Sequence, residues 1–98
     1  MAGIAVIATL TVADGQNEAF ETAFTEAAQA VAANEPGNSA YRVTRSRENG
    51  QVYKILEVYA DQAALEAHGA SDHFKALGRS LKGVLAGAPT LEYLDLIA

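Results

Sequence analysis

The chain has no cysteine. That removes disulfides, thiolate-ligated metals and a cysteine nucleophile from consideration, and leaves the redox compartment open. Tryptophan is absent too, and proline occurs twice. Positive charge is scarce and confined: all seven Lys and Arg lie between Arg42 and Lys82. Without a basic run, nucleic acid and anionic membrane surfaces are poor partners. No apolar stretch approaches the ~20 residues of a membrane helix. The opening MAGIAVIATLTVADG lacks a basic leader and is broken by threonine, so it reads as a strand rather than a signal peptide. The expectation is a soluble, cytoplasmic protein. No glycine-rich phosphate loop, dinucleotide fingerprint or nucleophile motif occurs.

What is present fits one domain, residues 1–98. Half the residues are hydrophobic, 19% are charged and the net charge is −5. A chain this short buries a modest share of its surface, so a second copy covering one face would add stability. Ile4 to Val12 reads as a mostly buried strand. Asp14 is placed to cap the next helix, and Gly15 to ease the turn into it. Phe20, Phe24, Ala27, Ala28 and Val31 recur at helical spacing up to about Asn34, where Glu35-Pro36-Gly37 ends the helix. Asn38 to Glu48 and Gln51 to Ala60 read as a hairpin around Asn49-Gly50, the signal for a type I′ turn with positive φ at both positions. Asp61 caps a short helix interrupted at Gly69. Ser71 caps a third that runs to about Leu85, with Lys75, Arg79 and Lys82 as a separate solvated face. Thr90 to Ile97 is the last strand.

The order β, α, β, β, α, β predicts an α+β fold: a ferredoxin-like βαββαβ sandwich with an antiparallel sheet and helices on one face. Strands one and three are apolar on both faces, through Val52, Leu56 and Val58 opposite Tyr53 and Ile55, and Ile7 opposite Val6 and Leu10. A sheet with one solvated face alternates more cleanly. With no helix left to cover the second face, a partner subunit is the expected cover.

The run from Glu35 to Lys75 carries a family resemblance. The segment E-x-Y-x-D-x-x-A-L-x-x-H-x-x-S-x-H-F-K (Glu57, Tyr59, Asp61, Ala64, Leu65, His68, Ser71, His73, Phe74 and Lys75) resembles the antibiotic biosynthesis monooxygenase family. The resemblance implies a homodimeric α/β barrel with a pocket in each subunit between helices and sheet. It also implies cofactor-free oxygenation of quinol- or anthrone-like aromatics, or isomerisation of a small carbonyl compound as in the autoinducer-2 branch. Both branches match this segment equally. The haem-degrading branch has a Trp where His68 stands, its ligating His at Gly78 and its Asn near Ala8, so no haem is expected.

Several residue types suit that chemistry. His68, one turn past Leu65, is a candidate base on the pocket wall, or else a structural residue at the helix break. His73 is in the first turn of a helix, whose dipole opposes positive charge. It is a second candidate base, or a cap on the preceding loop. With no cysteine and no evident carboxylate companion, the two histidines make a weak metal site. Glu57 is a charge among apolar neighbours. It either joins Arg42, Arg45 or Arg47 on the adjoining strand or acts on substrate. Tyr59 shares its strand face and lines the pocket or packs at the dimer interface, and Phe74 and Leu77 are wall or core. The expectation is a cofactor-independent monooxygenase without metal, catalysed by His68 or His73, with Glu57, Tyr59, Phe74 and Leu77 contacting substrate. The alternatives are an isomerase or other non-oxidative enzyme, and a non-catalytic dimeric binding protein.

Overall fold

The computed structural model describes residues 3–98. In chain order the elements are β1 (Ile4–Thr11), α1 (Asn17–Asn34), β2 (Asn38–Arg45), β3 (Val52–Tyr59), α2 (Gln62–Ala70), α3 (Asp72–Ser80) and β4 (Thr90–Asp95). The strands form one antiparallel sheet in the order β2-β3-β1-β4. This is the expected ferredoxin-like α+β arrangement, an open sheet with its helices on one face.

Register explains which residues the helices cover. Val6 pairs with Glu57, Ala8 with Ile55 and Leu10 with Tyr53, and these side chains are buried together. On α1, Phe20, Phe24, Ala27 and Val31 are the buried stripe. Phe20 is fully enclosed, with ring centroids 4.5 Å from Phe24 and 4.2 Å from Tyr53. The opposite face carries Ile7, Val58, Leu56 and Leu94 around the central pair of strands. Leu56 and Leu94 are among the exposed large hydrophobic residues.

Local details depart from the sequence expectation in four places. Gln16, not Asp14, stands at the α1 N-cap and makes no side-chain cap bond. Asp14 instead accepts from Gln51 Nε2 at 2.7 Å, which ties the β1–α1 turn to the β2–β3 loop. The β2–β3 connection is not a type I′ turn. Among the described residues, positive φ occurs at Gly15 and Gly83, not at Asn49 or Gly50. The strand pairing ends at Arg45, and Ser46 Oγ accepts from the amides of Glu48 and Asn49 to build a wider loop. The second helix runs through Gly69 and breaks at Ser71, which is extended at ψ 152°. α3 stops at Ser80 rather than Leu85, and the left-handed Gly83 turns the chain so that Leu85 bridges back to Val12.

Candidate active site

The site begins at the end of α1. Glu35 is the helix C-cap and its amide donates to the Val31 carbonyl. Gly37, two residues on, has an ordinary negative φ. Its glycine is needed for close approach, because a Cβ there would come within 2.6 Å of the Ala64 Cβ. The Gly37 carbonyl also accepts from the Ala60 amide at 2.8 Å. The start of α2 is thus seated on the turn that carries Glu35. Asp61 caps α2 by accepting from the Ala64 amide at 2.8 Å. Ser71 ends α2 by donating to the His68 carbonyl and starts α3 by accepting from the Phe74 amide. His68 and His73 are therefore placed on either side of one serine, both facing back to Glu35.

The carboxylate of Glu35 bridges the two imidazoles. His68 Nδ1 lies 2.8 Å from Glu35 Oε2 and 3.1 Å from Oε1. His73 Nε2 is hydrogen-bonded to the same Oε2. The two histidines do have a carboxylate companion, contrary to the sequence expectation. It was hidden because Glu35 lies 33 residues from His68. The imidazole Nε2 of His68 faces Glu57 Oε1 at 3.9 Å. Tyr59 donates its hydroxyl to that same Glu57 oxygen at 2.7 Å. Glu57 does not join an arginine. Arg42 pairs with Leu56 in the β2–β3 register, so it lies on the other face, and Arg45 bonds the Gly50 carbonyl and reaches Glu21 at 3.5 Å.

Burial acts on the protonation of Glu57 and of the two tyrosines beside it. It pushes the Glu57 carboxyl above the usual range, while the Tyr59 hydroxyl bond and the His68 ring pull the other way and Glu35 adds to the rise. Burial, then the charge of Glu57, then that of Glu35, pushes the Tyr41 phenol far up. The Tyr59 phenol is raised by burial and by its bond to Glu57. Both tyrosines therefore stay protonated as donors. No buried side-chain nitrogen or oxygen among the described residues lacks a partner.

A cavity of about 530 Å³ lies between the sheet and the α2–α3 layer, and His68, Glu57 and Tyr41 supply polar groups on its wall. The rest is mainly apolar, through residues such as Phe24, Leu77, Leu81 and Leu91. This size falls within the usual range for small-molecule sites. Of the residues singled out from sequence, His68, Glu57, Phe74 and Leu77 line it. Tyr59 does not: it is fully buried behind Glu57, on the helix-covered face, neither on the wall nor at the sheet's open face. His73 stands behind the wall and reaches the site through Glu35. Lys82, expected on a solvated face, is at the cavity margin. Tyr41 and Glu35 were missed. Tyr41 is the β2 partner of Glu57 in register, whereas the tight Asn49-Gly50 turn expected from sequence would pair Arg42 with Glu57 and turn Tyr41 to the other face. Gly78 and Ala8 line the cavity and offer no ligand to a haem iron.

The family model described as antibiotic biosynthesis monooxygenase matches residues 3–79. The fold is similar to a Caulobacter crescentus crystal structure provisionally described as an antibiotic biosynthesis monooxygenase. That similarity has 45% identity, covers 99% of this chain and 92% of the other, and has a TM-score of 0.95. A Pseudomonas aeruginosa protein is 28% identical over 100% of this chain and 97% of its own, with a TM-score of 0.88. A conserved protein from Methanosarcina mazei is 25% identical over 97% of this chain and 93% of its own, with a TM-score of 0.89. No curated protein matches the chain.

Proposed function

This chain belongs to the antibiotic biosynthesis monooxygenase family, and from that premise we propose that it is a cofactor-independent monooxygenase for a quinol- or anthrone-like aromatic bound in the cavity beside His68. The observation that carries the reading is the tether of His68. Glu35 accepts from its Nδ1, which fixes the tautomer with the lone pair on Nε2, the nitrogen that faces the cavity residue Glu57. A base oriented by a buried carboxylate next to an apolar chamber suits removal of a proton from an electron-rich aromatic.

The reaction balances without an added reductant. For an anthrone-type substrate, His68 Nε2 takes a proton from the reactive carbon. The resulting anion supplies the electrons to dioxygen and forms a carbon–oxygen bond. The proton returns to the peroxide, which loses water and leaves a carbonyl. Tyr41, held protonated at the wall, donates to the oxygen that gains charge. Tyr59, expected from sequence to contact substrate, has its hydroxyl committed to Glu57 instead.

We also propose that the working form is a homodimer that buries the apolar open face around Ile7, Leu56, Val58 and Leu94. Oxygen consumption measured with a panel of quinols and anthrones tests the activity. Uptake that is stoichiometric with product and survives exhaustive chelation is expected. Turnover of a small carbonyl compound with no oxygen uptake would replace this reading with the isomerase, since the same base serves proton transfer alone. Saturable binding of aromatics without turnover of either class would leave a binding protein.

A further inference from the structure

We propose that Glu35, His68 and His73 form a three-ligand site for a divalent first-row transition metal of the zinc type. The donors are His68 Nδ1, His73 Nε2 and a Glu35 carboxylate oxygen, all within 4.8 Å of one another. In a tetrahedral zinc site the metal–ligand bonds are about 2.0–2.2 Å, which sets ligand atoms roughly 3.3 Å apart. The Glu35–His68 pairs, at 2.8 and 3.1 Å, are already near that spacing. Two imidazoles and one carboxylate are borderline ligands that favour zinc, cobalt and nickel over magnesium or calcium.

The surroundings also suit an ion. The Glu35 side chain is 8% exposed and that of His68 9%, so the ligands are partly dehydrated before an ion arrives. Each is held by its own element: Glu35 by the end of α1, His68 by the last turn of α2 and His73 by the first turn of α3. Three elements converge on one point, and the helix break at Ser71 keeps the two imidazoles from diverging. With Nδ1 on the metal, the Nε2 proton of His68 faces Glu57, which in turn is bonded by Tyr59. An imidazole so placed between a metal and an outer carboxylate is a recurrent means of orienting the ligand. Three protein ligands leave the fourth position to water or a small ligand.

Metal and proton compete for the same lone pairs in this cluster. Occupation puts the His68 proton on Nε2 and removes the base, so the ion inhibits turnover. That consequence rests on the catalytic reading above, whereas the binding does not.

The test is titration of the chelator-washed 98-residue chain with Co²⁺ and Zn²⁺ alone, followed by calorimetry and by the cobalt visible spectrum. One ion per chain is expected, with intense bands of low-coordinate cobalt that Zn²⁺ displaces. Glu35→Gln keeps the shape of the side chain, and His73→Ala alters a position off the cavity wall. Each should weaken binding by about tenfold or more, with the helical circular dichroism retained. Lys75→Ala, on exposed α3 surface, should leave affinity unchanged. Absence of saturable binding, or equal affinity in wild type and both ligand variants, overturns the site. Tight binding at this cluster with no inhibition of turnover supports the metal site and counts against His68 as base.

Discussion

At the scale of single residues, the site turns on a carboxylate whose importance is invisible along the chain. His68 and Glu57 could be picked out because an imidazole and a charge among apolar neighbours need a reason to be there. Glu35 could not, because it sits beside Pro36 and Gly37 and reads as helix punctuation. Its role arises when the fold returns α2 to the end of α1. If His68 is the base, His68→Ala should lower turnover by about 10²-fold or more, the common scale for losing one. His73→Ala should have a smaller effect, acting through Glu35. Steady-state oxygen uptake checks this, and a reversed ranking would transfer the role to His73. A second expectation concerns Glu57. Burial raises its folded pKa above the ordinary 4.5. A group raised in this way favours folding fully below its unfolded pKa, and that contribution is lost as pH rises through the folded pKa. Glu57→Gln cannot titrate. The stability of wild type minus that of Glu57→Gln should therefore fall with pH from about 4.5 upward and then level off. Urea unfolding of both proteins across pH measures it, and a difference that grows with pH would contradict the burial of a carboxylate here.

Among the elements, those with strong periodic patterns were legible and their junctions were not. The stripe Phe20, Phe24, Ala27 and Val31 placed α1, and Asp61 and Ser71 cap the helices that follow them. The misreadings share a cause: a residue's local preference lost to a longer-range bond. Asp14 has cap chemistry, but Gln51, in the loop just before β3, takes its carboxylate. Asn49-Gly50 has turn chemistry, but the hydroxyl of Ser46 organises a longer loop, and Arg45 folds over Tyr53 with its Nε on the Gly50 carbonyl. Gly37 reads in sequence as part of the helix stop, and it is chosen for having no side chain. The contact with Ala64 gives a direct test. Gly37→Ala should destabilise the protein by about 1–3 kcal/mol, the usual cost of overpacking. Adding Ala64→Gly should recover part of that, less the ~1 kcal/mol that glycine costs in a helix. Denaturation of the two single variants and the double variant gives the coupling, and simple additivity would show that the approach of α2 to the Glu35 turn is not tight.

For the whole molecule, the sequence disclosed the fold class and the apolar second face, while the cavity needed the register to appear. Sedimentation at micromolar concentration should give about twice the 10.3 kDa chain mass, and a clean monomer there would remove the homodimer. The last strand links that assembly to the cavity. β4 is hydrogen-bonded to β1 alone, and all six of its residues are exposed. Leu91 and Tyr93 point into the cavity, while Glu92 and Leu94 belong to the open face. So little burial makes β4 the strand that opens first, and its amides should exchange with deuterium faster than those of β1 and β3 in dilute protein. A ligand against Leu91 and a second copy against Leu94 would each bear part of the cost of ordering the same six residues. Thermodynamic linkage then makes the two events reciprocal: aromatic ligands tighten self-association, and ligand affinity rises with protein concentration by the same factor.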